Sequence, residues 1–504
     1  MGERVVGGDI RACVICETKK YRTCKMKMAE IGEIVKKVLN PQTFGMTKKI
    51  RISVLGSKYA GKTVLLSALD RYMDRLLNTS LTLGEKGECE ENAEGWGLLK
   101  KEDMPDRRHR GWLKFSKKKY HEKMEGNDWP ERTLTPAVLG YKLVFAREGK
   151  IRRYEVELLD IPGERVADVV TMWNKSYDEW SDGVEEEYKK VNEKWNIYLE
   201  KVRKSGGTKE LILEAYTEFL AQHLRAYSFF VTPSEAMLDR HGHPIDEMGL
   251  SEDSSVEEWC SKMNSIKFAP IPFELRKDKS FMGPVKEFRK EYEKYKKESR
   301  VDEIKKWCIT SNQVYYLVDV LGALERGKAG VESTKRQVRL ATVGVADKSF
   351  LARMFSPNLR KFCAVATQVD RCGIEESVWG ENKSNLEGWL SEYFSKANTV
   401  AFKKGVFSTL VCSAVSSMRP VMEENGVLKC CGEKGFMKNP NKPFSDDNCR
   451  HGFRVTMSVP SVEEAEKKNY EGYAWPVPFP SFPRDGNFLH YNLDKIVSSM
   501  IDLH

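Results

Sequence analysis

The sequence predicts an open α/β sheet, mostly parallel, with one antiparallel hairpin, a helical insertion between its two halves and a small irregular lobe near the carboxyl end. Three observations predict it. The apolar run Ile52-Ser53-Val54-Leu55 leads into a glycine-bounded octapeptide and then into an amphipathic stretch. Two alternating segments, 139–145 and 154–159, are separated by Arg147-Glu148-Gly149-Lys150. Strand-like runs return at 314–319, 362–367 and 406–411, with helical stretches between them. A period of two over short runs marks strands, and strands separated by helices pair in parallel.

Taken in order, residues 1–45 form an extension whose only periodic stretch, 28–39, reads as a short helix. Residues 46–164 hold the first part of the sheet. Within them Leu65, Leu66, Leu69, Met73, Leu76 and Leu77 recur at three and four residues and give the first helix, 61–77, one buried face. From Asn78 to Asp128 the chain is charged and shows no clear period. A hairpin then follows the first helix, as the second and third strands do in the Ras-like P-loop GTPase sheet. Residues 165–305 read as the helical insertion. Trp180, Val184, Tyr188, Val191, Trp195, Tyr198 and Val202 lie along one helix that ends at Ser205-Gly206-Gly207, and 209–226 and 283–308 supply two more. Residues 306–419 resume the sheet, with helices at 327–342 and 383–397. The irregular lobe covers 420–486, and 487–504 end in a helix, 493–501, that packs on the sheet domain.

Composition sets outer limits. A chain of 504 residues can hold two to four domains, and 40% hydrophobic with 31% charged residues describes a polar-surfaced globular protein. No apolar run approaches a membrane span, and Met1-Gly2-Glu3-Arg4-Val5-Val6 lacks the apolar core of a secretory signal. Val6 stands where a myristoylation motif needs Ser or Thr, so a cytoplasmic protein is expected. The net charge of +9, from 83 basic and 74 acidic residues, is mild for this length. Its local excess, Arg107-Arg108-His109-Arg110 with Lys117-Lys118-Lys119, reads as solvated surface and gives no strong nucleic-acid signal. The twelve cysteines are scattered, and only six fall in clusters, Cys13-Cys16-Cys24 and Cys430-Cys431-Cys449 with His451. Neither contains two clean ligand pairs, so reduced thiols are expected rather than zinc.

The chemistry is concentrated in a few strings. Gly56-Ser57-Lys58-Tyr59-Ala60-Gly61-Lys62-Thr63 spells G-x-x-x-x-G-K-T between strand and helix. Glycines let successive backbone N–H groups, through Val64, turn toward phosphate oxygens at a helix N-terminus. Lys62 is expected at the β- and γ-phosphates and the Thr63 hydroxyl at Mg²⁺. Asp160, at the end of an apolar strand, suits the second Mg²⁺ contact, and Gly163 in Asp160-Ile161-Pro162-Gly163-Glu164 offers an N–H to the γ-phosphate. Glu164 stands where Ras-type GTPases carry the glutamine that orients water. Before the hairpin, Trp129-Pro130-Glu131-Arg132-Thr133-Leu134-Thr135 supplies a switch hydroxyl for Mg²⁺, with Thr133 favoured and Thr135 the alternative. Thr367-Gln368-Val369-Asp370 approximates [NT]-K-x-D. Asp370 would accept hydrogen bonds from guanine N1 and N2, while Gln368 replaces the lysine whose stem covers the base. Ser413-Ala414 is the expected loop whose backbone meets guanine O6.

These strings, in this order, resemble the YcjX-like family of P-loop stress-protein GTPases. The resemblance rests on Ala60-Gly61-Lys62-Thr63-Val64, Trp129-Pro130 before Thr133, and Asp160-Ile161-Pro162-Gly163-Glu164. It continues through Ala215-Tyr216-Thr217-Glu218-Phe219-Leu220 before Leu224-Arg225, Val318-Asp319-Val320-Leu321-Gly322-Ala323-Leu324, Thr367–Asp370 and Leu489-His490-Tyr491-Asn492-Leu493-Asp494. It covers about 45–504. The resemblance implies binding of GTP and GDP with Mg²⁺, slow hydrolysis, a link to envelope stress, and a membrane-associated protein partner that would bring the chain to the inner membrane. A switch acting through 129–136 and 160–175 is expected to move the adjoining insertion. Two rivals remain beside this reading: an ATP-dependent ATPase or kinase, which Gln368 favours, and a nucleotide-dependent scaffold with negligible hydrolysis, which Glu164 favours. The residues themselves name neither the partner nor the oligomeric state.

Overall fold

The computed structural model describes residues 47–56, 60–79, 82–83, 89–90, 95–104, 112–125, 135–148, 150–163, 165–189, 193–225, 231–239, 245, 248, 250, 253–343, 361–372, 376–394, 407–416, 421–424, 427–430, 458–471, 473, 475 and 489–501. The first half runs β1 (Lys48–Gly56), α1 (Lys62–Asn78), β2 (Gly97–Asp103), β3 (Leu113–Lys114), α2 (Lys117–Glu125), β4 (Ala137–Arg147) and β5 (Lys150–Asp160). Helices follow: α3 (Arg165–Met172), α4 (Tyr177–Lys189), α5 (Glu193–Lys204), α6 (Lys209–Arg225), α7 (Val256–Lys262), α8 (Met282–Glu298) and α9 (Val301–Thr310). The sheet resumes with β6 (Gln313–Val318), α10 (Val320–Glu325), α11 (Gly327–Val343), β7 (Lys361–Ala366), α12 (Glu376–Phe394) and β8 (Phe407–Val411). Last come β9 (Ser413–Ser416), β10 (Val421–Glu424), β11 (Val427–Cys430), α13 (Val462–Lys467), β12 (Leu489–Tyr491) and α14 (Leu493–Ile501).

Eight strands form one open sheet in the order β8-β7-β6-β1-β5-β4-β2, with β3 beside β4. Strands β1, β5, β6, β7 and β8 are mutually parallel, and β4 is antiparallel to β5 as the hairpin predicts. The charged stretch without a clear period holds a second antiparallel neighbour, β2, on β4. Side chains alternate between two cores. Val314, Tyr316 and Val318 of β6 enter one, Tyr315 and Leu317 the other, as a pleat with helices on both faces requires. Helices α1 and α14 cover the second face. The first face carries α11 and α12, and the insertion's Trp180, Tyr188, Trp195 and Tyr198 join the same continuous core.

Two expected helices are each divided. The aromatic stripe of 180–202 lies on α4 and α5, on either side of 190–192, and its described members Trp180, Val184, Tyr188, Trp195, Tyr198 and Val202 are all buried. The 283–308 helix is broken at Arg300, whose φ of 55° is left-handed, so α8 ends and α9 turns beneath β1. The predicted helix at 28–39 lies outside the described residues, as do Arg107–Arg110, Cys13, Cys16, Cys24, Cys431, Cys449 and His451. Lys117 faces inward. Its ammonium reaches Asp70 at 2.9 Å and Asp103 at 2.5 Å, so this lysine serves the fold rather than a surface ligand. Burial alone would raise the Asp70 carboxyl, but Lys101, Lys117 and the Tyr141 hydroxyl bring it down to about 2.

His223 of α6 sits inside the aromatic core, 4.6 Å from the Phe219 ring and 4.9 Å from Tyr188 between centroids. Burial, with Arg336 and Lys194 adding positive charge, pushes its pKa down to about 3. The unfolded chain takes up a proton near pH 6.5 and the folded chain does not, so stability falls as pH drops below about 6.5, by about 1.4 kcal/mol per pH unit. His223→Phe is expected to remove that slope. Melting temperatures at pH 7 and pH 5 test it, and an equal loss in variant and wild type would contradict it.

Candidate functional site

The strand registers bring the predicted strings to one edge. Val54 lies opposite Asp160, Gly56 opposite Leu317, Val318 opposite Ala366 and Ala366 opposite Val411. Strands β1, β5, β6, β7 and β8 therefore end in one row. Connections from β1 lead first toward β5 and later to β6 on its other side, making this row a topological switch point, where open α/β sheets bind ligands.

At the end of β1 the backbone needs glycine twice. Gly56 has a φ of 152°, and a Cβ there would lie 2.5 Å from the Leu317 carbonyl oxygen. Gly61, with φ 71° and ψ 23°, is left-handed immediately before α1, where a side chain would meet open space. Ser57, Lys58 and Tyr59 lie outside the described residues; Ala60 is buried. Lys62 folds back toward the end of β1 and donates from Nζ to the Gly56 carbonyl at 3.1 Å, with 8% of the residue exposed. Thr63 Oγ1 donates to Asp160 Oδ2 at 3.0 Å, and Asp160 is fully buried. Val64 extends the first turn of α1, against the core of that face.

Beyond Asp160, Ile161 is buried and the chain turns at Pro162-Gly163 straight into α3. Arg165 N–H donates to the Pro162 carbonyl at 3.0 Å and Val166 N–H to that of Gly163 at 3.3 Å. Glu164 and Thr133 lie outside the described residues. Thr135 is two residues before Ala137, which pairs with Asp160, so the sequence preceding β4 enters the sheet at the Asp160 end.

The string expected to recognise the base also converges here. Thr367 Oγ1 donates to the Ala60 carbonyl at 3.0 Å, tying the end of β7 directly to the segment that leads into α1. Gln368 is left-handed, with φ 58°, and starts the 3₁₀ turn Val369–Arg371 that carries Asp370. The expected loop at Ser413-Ala414 takes a different form. Both residues belong to β9, which is antiparallel to β12, with Ser413 opposite Tyr491. Only Cys412 separates β8 from β9, and its N–H donates to the Ala366 carbonyl at 2.8 Å. Pairing with a strand from the far end of the chain converts the expected loop into an edge ribbon.

A family profile for the YcjX-like family, DUF463, matches residues 50–502. The chain belongs to the YcjX-like family. No curated protein matches it.

In this YcjX-like chain the string Val318–Leu324 has a physical reason. Asp319 Oδ1 accepts the Gly322 N–H at 2.8 Å and caps α10, and any side chain at Gly322 would collide with that carboxylate. Sequence reasoning missed Arg371, next to Asp370. Its buried guanidinium lies 2.6 Å from Glu325 Oε2 and 3.9 Å from Asp319 Oδ1, so the turn carrying Asp370 is pinned to α10. Also missed was Asp168 of α3, which is fully buried and accepts bonds from the Ser234 N–H and the Ser234 and Tyr295 hydroxyls. Burial pushes its pKa up, against the pull of Arg165 and these donors. No local pattern marks either residue, because their partners come from distant segments. Among the described residues, no helix is long and apolar enough to cross a membrane.

Proposed function

We propose that this YcjX-like chain binds GTP with Mg²⁺ at the row of strand ends and hydrolyses it to GDP and phosphate, changing conformation when the γ-phosphate leaves. One observation carries the reading: the Thr63 hydroxyl and the buried Asp160 carboxylate meet at 3.0 Å, next in sequence to a lysine that reaches back to the Gly56 carbonyl. Two hard oxygen donors, one from the first turn of α1 and one from the end of β5, suit Mg²⁺, which keeps few protein ligands and completes its shell with waters and phosphate oxygens. Among the described residues, no group of three His, Cys, Asp or Glu could hold a metal without such help. When bound, Mg²⁺ would neutralise charge on the phosphates.

The chain's own groups divide the work. Backbone N–H groups of the loop and the α1 N-terminus bind the phosphates, and Lys62 adds a positive charge at the β- and γ-positions. Gly163 presents its N–H to the γ-phosphate, while Glu164 and Thr133 remain assigned from their places in the sequence, as the water-orienting acid and the switch hydroxyl. Asp370 selects guanine over adenine by accepting from N1 and N2. Support for placing the base string in this site is its attachment to the phosphate loop through Thr367 and Ala60. The sheet order β8-β7-β6-β1-β5-β4 is that of Ras-like GTPases, with β2 added at the edge; this is likeness of fold.

Fluorescent GDP bound to the full chain is expected to be displaced by GTP and poorly by ATP. Equal displacement by ATP removes the guanine assignment. A guanine-nucleotide scaffold without turnover is the second reading, favoured by the acid at Glu164 in place of glutamine. Single-turnover release of phosphate from bound GTP separates it from an enzyme.

A further inference from the structure

The turn after β5 runs into a helix whose first residues are held by the insertion. Arg165 Nη1 lies 2.8 Å from the Tyr295 hydroxyl, 2.9 Å from Ser299 Oγ and 3.3 Å from Ser234 Oγ. The same Tyr295 hydroxyl donates to Asp168 Oδ2 at 2.6 Å. One oxygen on α8 thus joins both polar residues of the first turn of α3. At the other end of α3, the Tyr292 hydroxyl donates to the carbonyls of Met172 (3.3 Å) and Lys175 (3.1 Å). Helix α8 therefore grips α3 at both ends. Because Arg165 and Val166 bond back to Pro162 and Gly163, the position of α3 sets the position of the Gly163 N–H.

We propose that Tyr295 is a positioning residue for the Asp160–Gly163 turn, its hydroxyl fixing where the Gly163 N–H stands and so how strongly the site prefers a triphosphate to a diphosphate. The inference rests on the nucleotide reading above. It makes the insertion part of the γ-phosphate sensor rather than a passive attachment. A diphosphate does not reach Gly163, so only affinity for the triphosphate should feel the network.

Tyr295→Phe keeps the ring against Phe268, 5.5 Å away between centroids, and removes only the hydroxyl. In the full chain with Mg²⁺, affinities for fluorescent GDP and for a fluorescent non-hydrolysable GTP analogue are compared. The ratio favouring the analogue is expected to fall about tenfold in Tyr295→Phe, with GDP affinity held within about twofold. Ser299→Ala, which removes one acceptor of Arg165, should shift the ratio in the same direction by less. Should Tyr295→Phe not fold, Ser299→Ala carries the test alone. An unchanged or increased ratio in folded variants, whatever their melting temperatures, overturns the proposal while leaving the nucleotide site standing. Wild-type protein that binds neither nucleotide overturns the site reading and this inference together.

Discussion

Lys62→Ala is expected to remove most of the nucleotide-induced rise in melting temperature at concentrations that saturate the wild type. The Lys62 side chain is largely buried and donates to the Gly56 carbonyl at 3.1 Å, at the strand end where phosphate would be bound. Hydrogen bonds between a charged donor and phosphate are about twice as strong as neutral ones, at about 1.5–3 kcal/mol each. Removing the lysine leaves the phosphate charge without its counter-charge, and a loss of about a hundredfold in affinity follows. At a ligand concentration of about a hundred times Kd the wild type gains about 2.7 kcal/mol of stability, while the variant gains about 0.4 kcal/mol. The ligand-free variant should melt close to wild type, because the alanine strands no phosphate there. A normal ligand-induced rise in Lys62→Ala would remove the phosphate loop from the binding site.

Gly56→Ala should give the largest loss of stability among single changes at the site, with no ligand needed to see it. Two penalties coincide: a φ of 152°, and a Cβ placed 2.5 Å from the Leu317 carbonyl and 3.1 Å from the Leu317 Cβ. Neither contact is the movable tip of a side chain, so relief requires β1 and β6 to separate at the end of β1. Backbone strain of about 1–3 kcal/mol and overpacking of similar size give about 3 kcal/mol together. Gly61→Ala is the internal comparison. It carries left-handed strain with no atom within 4 Å of the new Cβ, so about 1 kcal/mol is expected. Denaturant titration of both variants decides the point; equal losses would show that β1 and β6 do not approach so closely.

What was legible follows the range of the interactions. Strand β1, helix α1, the β4–β5 hairpin and strands β6 to β8 were readable within a few residues, because a two-residue period or a helical stripe records which face each side chain buries. Strand β2 was not, since Leu98-Leu99-Lys100-Lys101-Glu102-Asp103 does not alternate. It is a strand because β4 offers it an edge and Asp70 receives Lys101 at 2.7 Å. The break at Arg300 was hidden inside a uniformly charged run. It is visible only once the guanidinium is placed over Trp112, 4.0 Å from the ring centroid, and Trp307 of α9 is placed under β1. The Ser413-Ala414 string looked like a loop because its strand partner, Leu489–Tyr491, is remote in the chain.

By itself the sequence determined the local chemistry: a glycine loop ending in Lys62 and Thr63, an acid at the end of a strand in Asp160, and the order of strings that marks the YcjX-like family. These depend on neighbours within one turn or one strand, so spacing records them. Tertiary structure alone decided which distant residues hold those groups in place. It set Thr367 on Ala60, Arg371 on Glu325, and Tyr295 of the insertion on Arg165 and Asp168. Each of these contacts joins segments far apart in the chain, and a buried hydrogen bond between them leaves no period in the sequence. Only folding both sides onto one core brings donor and acceptor within 3 Å.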